Sequence, residues 1–245
     1  MPSTFLRAEW RKLVIANFSV DAAILKPYLP HGTEVDYWND KCYVSLIGFR
    51  FINTKIKGIP IPFHSDFEEI NLRFYVRHRD NGTWKRGVTF IKEIVAKSAL
   101  TFVANSLYNE KYITLPTRHT WIDDSNYIKI IYEWKHNGAW DAISCTAAPA
   151  AYEIAAGSEE EFITEHYWGY TRLTHNSTSQ YQVEHPRWRI YPVNDYEIKV
   201  RFGDLYGQEF NSLNDAQPDS VMLAEGSEVA IKLFNKFNGS QLAKK

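Results

Sequence analysis

Cysteine is nearly missing. The 245 residues contain two, Cys42 and Cys145, too few for the disulfide framework that staples small secreted domains. An excess of one charge is missing as well. Twenty-eight Lys and Arg stand against 29 Asp and Glu, a formal net charge of -1, so the general attraction to phosphates that underlies nucleic-acid binding has no basis here. No apolar run approaches the ~18 residues that a membrane-crossing helix requires. The start, Met1-Pro2-Ser3-Thr4, lacks the charged-then-apolar pattern of a secretory leader. A cytoplasmic protein without nucleic-acid or membrane partners is therefore expected. Low-complexity tracts, fixed-period repeats and linkers are also lacking, so residues 1–245 are expected to form one domain.

Motifs that announce a cofactor are lacking too. There is no Gly-x-Ser-x-Gly elbow, phosphate-binding loop or dinucleotide fingerprint. Eight histidines occur, none in the His-x-x-x-His spacing of a helical zinc site. Neither metal nor cofactor is expected. Cys145, in the strand-like AISCTAA, has no cationic neighbour to activate it and reads as a small core residue.

What is abundant is aromatic side chain: 8 Trp, 15 Tyr and 14 Phe, or 15%, which favours strands. Lys41 to Phe51, Glu69 to Arg77, Gly87 to Val95, Tyr127 to Trp134, Trp140 to Thr146, Trp168 to Leu173, Tyr181 to His185 and Tyr196 to Phe202 all read as strands. Asn137-Gly138 marks a tight hairpin, and Ser220–Ala224 with Glu228–Phe234 reads as another. Helices are few. Ala96 to Tyr108 carries an apolar stripe ending at Asn109, Ser158 with Glu161 forms a capping box for a helix near 159–166, and Asp21 to Leu29 suggests a third. The expectation is a mainly β protein with a few short helices, its strands antiparallel and closed into a barrel.

Chemistry concentrates on Glu69-Ile-Asn-Leu-Arg-Phe-Tyr-Val76. Strand alternation puts Glu69, Asn71, Arg73 and Tyr75 on one face and Ile70, Leu72, Phe74 and Val76 on the other. The polar row is either a solvated outer face or the lining of an interior cavity. In a cavity, Arg73 would hold a substrate carboxylate and Glu69 would serve as acid or base. His166 to Arg172 also alternates, with Trp168, Tyr170 and Arg172 on one side, and its partner Tyr181-Gln-Val-Glu-His185 ends in His185. These are either the wall of an amphipathic pocket or core aromatics with polar tips.

Glu-Ile-Asn-Leu-Arg-Phe-Tyr-Val (69–76), Gly87-Val88, Tyr-Trp-Gly-Tyr-Thr-Arg (167–172) and Val-Glu-His-Pro-Arg-Trp (183–188) together resemble the YqjF-like family, which is grouped with acetoacetate decarboxylase. The resemblance runs from Trp10 through Pro192. It implies an acetoacetate decarboxylase-like antiparallel barrel enclosing a polar cavity, with Glu69 facing inward. Acetoacetate decarboxylase forms an imine through a lysine that follows a short helix beside a second lysine, whose charge lowers the pKa of the first. The corresponding segment here, Leu107-Tyr-Asn-Glu-Lys-Tyr112, has Lys111 alone and places Tyr112 at the nucleophile position. Lys92, alternating with Val88 and Phe90, is a second candidate amine, and Lys244-Lys245 lies in the tail. Three functions follow. The first is a barrel binding a small anionic or carbonyl-bearing metabolite through Asn71, Arg73, Tyr170, Arg172 and His185. The second is a lyase or hydrolase acting on a small keto acid, with Glu69 and Lys111 catalytic. The third is a structural or interaction module, homo-oligomeric through an edge strand.

Overall fold

The computed structural model describes residues 4–60, 62–98, 101, 105 and 110–238. The strands are β1 (Thr4–Ser19), β2 (Glu34–Val35), β3 (Tyr43–Ile56), β4 (Ile59–Pro60), β5 (Phe67–Asp80), β6 (Thr83–Val95), β7 (Tyr112–Thr114) and β8 (Thr117–Asp123). They continue with β9 (Ile128–His136), β10 (Ala139–Ala147), β11 (Tyr152–Glu153), β12 (Trp168–Thr174), β13 (Ser177–Glu184), β14 (Arg189–Tyr191), β15 (Val193–Lys199) and β16 (Ser220–Asn238). Two short helices, α1 (Glu159–Thr164) and α2 (Phe202–Tyr206), and two 3-10 segments, Ala22–Tyr28 and Gln208–Asn214, complete the described elements.

The strands form two sheets. The larger runs β1-β3-β5-β6-β12-β13-β16-β14-β11, with β2, β4 and β7 pairing at its sides and β1 also pairing with β16; the smaller runs β15-β10-β9-β8. This corrects the expected antiparallel barrel. The fold is a sheet-dominated mixture of strands and short helices, and its larger sheet is itself mixed, because β6 pairs in parallel with both β12 and β7. The reason is connectivity. After β6 the chain leaves to build β8, β9 and β10 of the smaller sheet and returns through α1, so β12 arrives beside β6 by a crossover rather than a hairpin.

Alternation along β5 decides the layers. Ile70, Leu72, Phe74 and Val76 are fully buried in the core shared with Ile130, Tyr132 and Trp134 of β9 and Ile143 and Cys145 of β10, so one face of the larger sheet packs on the smaller. The opposite face carries Tyr75 and Phe67 into a second core with Phe49, Val88, Val95, Val183 and Trp188, covered by Phe162 and Ile163 of α1. Cys42 and Cys145 are both buried, and burial pushes their thiols up to about 11 and about 12.

Local signals hold at several points. Asn137 and Gly138 have φ of 47° and 80°, the left-handed pair of a two-residue hairpin turn, and join β9 to β10 in register from His136↔Ala139. Ser158 caps α1, accepting from the Glu161 N–H at 3.2 Å. The Glu161 carboxylate reaches back one residue farther than a capping box requires, to the Gly157 N–H at 2.6 Å. The third expected helix is a 3-10 segment capped by Asp21. Two expectations change. Ser220–Ala224 and Glu228–Phe234 belong to one strand, β16, because Gly226, at φ 80° opposite Arg11, bends the ladder without reversing it. Phe202 begins α2 instead of ending a strand. Most of the helix expected over 96–108, with its stop at Asn109, and the pair Lys244-Lys245 lie outside the described residues. Among the described residues no helix is long and apolar enough to cross a membrane.

Candidate active site

The polar row of β5 faces the second core. Glu69 and Asn71 are buried, 3% and 2% exposed, and Arg73 is half-buried. Asn71 Nδ2 donates to Glu69 Oε1 at 3.0 Å, and Tyr112 Oη donates to Glu69 Oε2 at 2.8 Å. Arg73 Nη2 donates to the Ile163 carbonyl of α1 at 3.3 Å, and its guanidinium lies 5.6 Å from the Tyr75 ring centroid. Asn71 is paired directly across the ladder with Glu93, itself 2% exposed, and Glu93 is paired with Tyr112 in the parallel β6–β7 ladder. Tyr112 is held by its backbone: its N–H donates to Asn105 Oδ1 at 2.9 Å and its carbonyl accepts from Asn105 Nδ2 at 2.8 Å. Tyr181 of β13 packs on the same core opposite Gly169, where a Cβ would stand 2.1 Å from the Tyr181 ring.

Three carboxyl groups influence one another here. Burial pushes Glu69 up to about 7, although Tyr112, Asn71 and Arg73 each favour its ionised form. Burial and the neighbouring Glu69 lift Glu110 to about 7 against the hydrogen bond it accepts from Thr171 Oγ1 at 2.7 Å. Glu93 is raised as well, by burial and by both other carboxyls. Near neutral pH such a cluster can donate and accept protons, the property that general acid–base chemistry uses.

The sequence-derived candidates divide. Glu69, Asn71 and Arg73 come together. Lys111 is exposed at the mouth of a cavity of about 170 Å³ lined by Tyr28, Phe90, Glu110, Tyr170, Thr171 and Arg172. Its ammonium sits 4.9 Å from the Tyr28 ring centroid, and desolvation and Arg172 lower its pKa. Tyr170 belongs to the core between the sheets, its hydroxyl donating to the Lys85 carbonyl at 3.1 Å. Arg172 donates to the Leu29 carbonyl. Thus Tyr170 and Arg172 flank that cavity, while Thr171 turns toward Glu110. His185 stacks on Trp188 at 4.3 Å and lines a separate groove of about 650 Å³ with Arg7, Asn53, Lys55 and Glu228. Lys92 departs from simple alternation. The β5–β6 register jumps from Leu72↔Lys92 to Arg73↔Phe90, a bulge that turns Lys92 away from Val88 and Phe90, and its ammonium donates to the Leu205 carbonyl of α2. Glu93, Glu110, Thr171 and Tyr181 were not foreseen. The bulge hid Glu93, and Glu110 precedes a strand of three residues, too short to show a period. Among the described residues no group of three or more His, Cys, Asp and Glu is arranged to hold a metal ion.

A family model, DUF2071, described as an uncharacterized conserved protein (COG2071), matches residues 7–228. The chain belongs to the DUF2071 family. The Bacillus subtilis protein YqjF is 25% identical over 190 residues, covering 76% of this chain and 74% of YqjF. Two solved structures share the fold. Acetoacetate decarboxylase from Legionella pneumophila superposes with a TM-score of 0.64 at 12% identity, covering 96% of this chain and 88% of its own. The enduracididine biosynthesis enzyme MppR complexed with pyruvate superposes with a TM-score of 0.66 at 10% identity, covering 97% and 91%. This DUF2071 chain therefore has the acetoacetate decarboxylase-like fold, a fold found in enzymes.

Proposed function

We propose that the Glu69 cluster binds a small carbonyl-bearing carboxylic acid and exchanges protons with it. The observation that carries this reading is a buried Glu69, held by Tyr112 and Asn71, with Arg73 next on the same strand face. Arg73 would take the ligand carboxylate in a charge-assisted hydrogen bond. Glu69 and Tyr112 would stand at the carbonyl, the carboxyl giving or taking a proton and the phenol donating to the oxygen that gains charge. No imine is required. The amine of Lys92 is turned to α2, and Tyr112 occupies the position that the family resemblance gives to the nucleophile.

A second reading is imine formation at Lys111, favoured by its lowered pKa beside Arg172. One experiment separates the two. Pyruvate is titrated into the protein by calorimetry, and a parallel sample is reduced with borohydride and weighed intact. Saturable binding that weakens at least about tenfold in Arg73→Ala, with no added mass, is expected. A reduced adduct on Lys111 would put the imine reading first. Absence of binding by the folded protein, or binding indifferent to Arg73→Ala, would overturn the Glu69–Arg73 assignment.

A further inference from the structure

Among the described residues, two buried oxygens in this cluster have no hydrogen-bond partner: Glu93 Oε2 and Asn71 Oδ1. They belong to side chains only 2% exposed and directly paired across the β5–β6 ladder, so both side chains leave neighbouring positions on the same face of the sheet. A buried polar atom without a partner costs free energy, and a site that keeps two of them side by side is built for something that donates. Arg73, two residues along the same strand from Asn71, has the opposite orphan: its Nε is buried and has no partner among the described residues. Two strand residues span about 7 Å. The wall therefore presents paired acceptors at one end and a cationic donor at the other.

We propose that the Asn71–Glu93 pair receives a protonated amine of the same ligand whose carboxylate Arg73 holds. The substrate class is then a small zwitterion, an amino-bearing carboxylic acid with its charged ends several atoms apart. This deepens the preceding proposal and rests on Arg73 binding the carboxylate. The ammonium would donate to Asn71 Oδ1 and Glu93 Oε2. Its positive charge would favour ionised carboxylates in the cluster of Glu69, Glu93 and Glu110, which Tyr112, Tyr181 and Arg73 also face. Binding would accordingly release protons. A plain carboxylate, bringing only negative charge, would have the opposite effect.

The test compares 4-aminobutyrate with butyrate, which share a carbon skeleton, by calorimetry in two buffers of different ionisation enthalpy. The expectation is at least about tenfold tighter binding of the amino compound, since hydrogen bonds to charged groups are the strong class, accompanied by net proton release. Glu93→Gln preserves shape and one acceptor but removes the ionisable group. It should erase most of that gain and the proton release attributable to Glu93, and its fold is checked by an unchanged circular dichroism spectrum and a single cooperative thermal transition of the unliganded protein. Equal affinities, or tighter butyrate, would overturn the zwitterion while leaving the Arg73 reading intact. An advantage and proton release unaltered in Glu93→Gln would overturn the assignment to Glu93. If neither these compounds nor pyruvate binds the folded protein, both proposals fall together.

Discussion

Glu69 is a buried carboxyl held between the Asn71 amide and the Tyr112 hydroxyl. Alternation in residues 69–76 puts Glu69, Asn71 and Arg73 on one face, and the structure brings them together. What alternation cannot supply is the partner that arrives from 43 positions away, the Tyr112 hydroxyl. That hydrogen bond favours the ionised carboxylate, while burial opposes it and prevails. In Tyr112→Phe the strongest of the effects opposing burial is lost while those of Asn71 and Arg73 remain, and Glu69 should titrate still further above the ordinary carboxylate range than the value of about 7 it has here. A carbon-13 titration of the glutamate carboxyls, with Glu69 assigned through Glu69→Gln, reads this directly. A Glu69 midpoint unchanged or lowered in Tyr112→Phe would mean that the hydrogen bond is not made in solution.

At the scale of elements, the positions that went unread are those where a strand breaks its own period. The β6 run from Gly87 to Val95 looks like simple alternation, yet the bulge opposite Leu72 and Arg73 exchanges the faces of Lys92 and Glu93. A lysine is thereby spent on a helix carbonyl, and a glutamate enters the cluster. Bulges leave little trace in composition, because the extra residue is an ordinary one. The β12–β13 hairpin gives the converse case. Tyr170 and Arg172 do share a face, but it is the face turned to the core between the sheets, while Gly169 and Thr171 look toward the carboxyls. Gly169 matters because Tyr181 lies where its side chain would be. Gly169→Ala should cost about 1–3 kcal/mol, the usual range for overpacking a filled core. It should also weaken pyruvate binding, since Tyr181 must move. Urea unfolding of Gly169→Ala at constant m-value checks the first effect and calorimetry the second. An alanine variant as stable as the parent would show that Tyr181 has room to shift.

For the whole molecule, strand-like runs and the family resemblance pointed to a sheet-rich, acetoacetate decarboxylase-like fold, and that much of the architecture was readable in residues such as Ile70 to Val76. The pairing was not. Parallel contact of β6 with β12 joins Gly87 to Trp168 across three intervening strands of the smaller sheet, and nothing local encodes so distant a neighbour. The assembled molecule also has a property that no single strand has, a balance of buried acids and bases. Glu69 and Glu110 rise to about 7 and Glu93 is raised as well, so between about pH 4.5 and 7 the native state binds more protons than the unfolded chain. Stability must then fall as pH rises through that window, by about 1.4 kcal/mol for each pH unit that separates a folded from an unfolded midpoint. His166, buried against Asp36 and lowered to about 4, acts in the opposite sense, since its contribution is lost as pH falls from about 6.5 to 4. Glu68, lowered to about 2 beside His119, is likewise protective above ordinary carboxylate pH and loses its contribution below it. Three raised carboxyls outweigh one histidine above pH 5, and Glu68 with His166 dominates below it. The urea midpoint should therefore peak near pH 5 and decline toward pH 7.5. The double variant Glu69→Gln, Glu110→Gln removes two of the groups that drive the decline, so it should be more stable than the parent at pH 7.5 and show a flatter profile between pH 5.5 and 7.5. A parent profile that climbs through this window would mean that the cluster is open to water in solution.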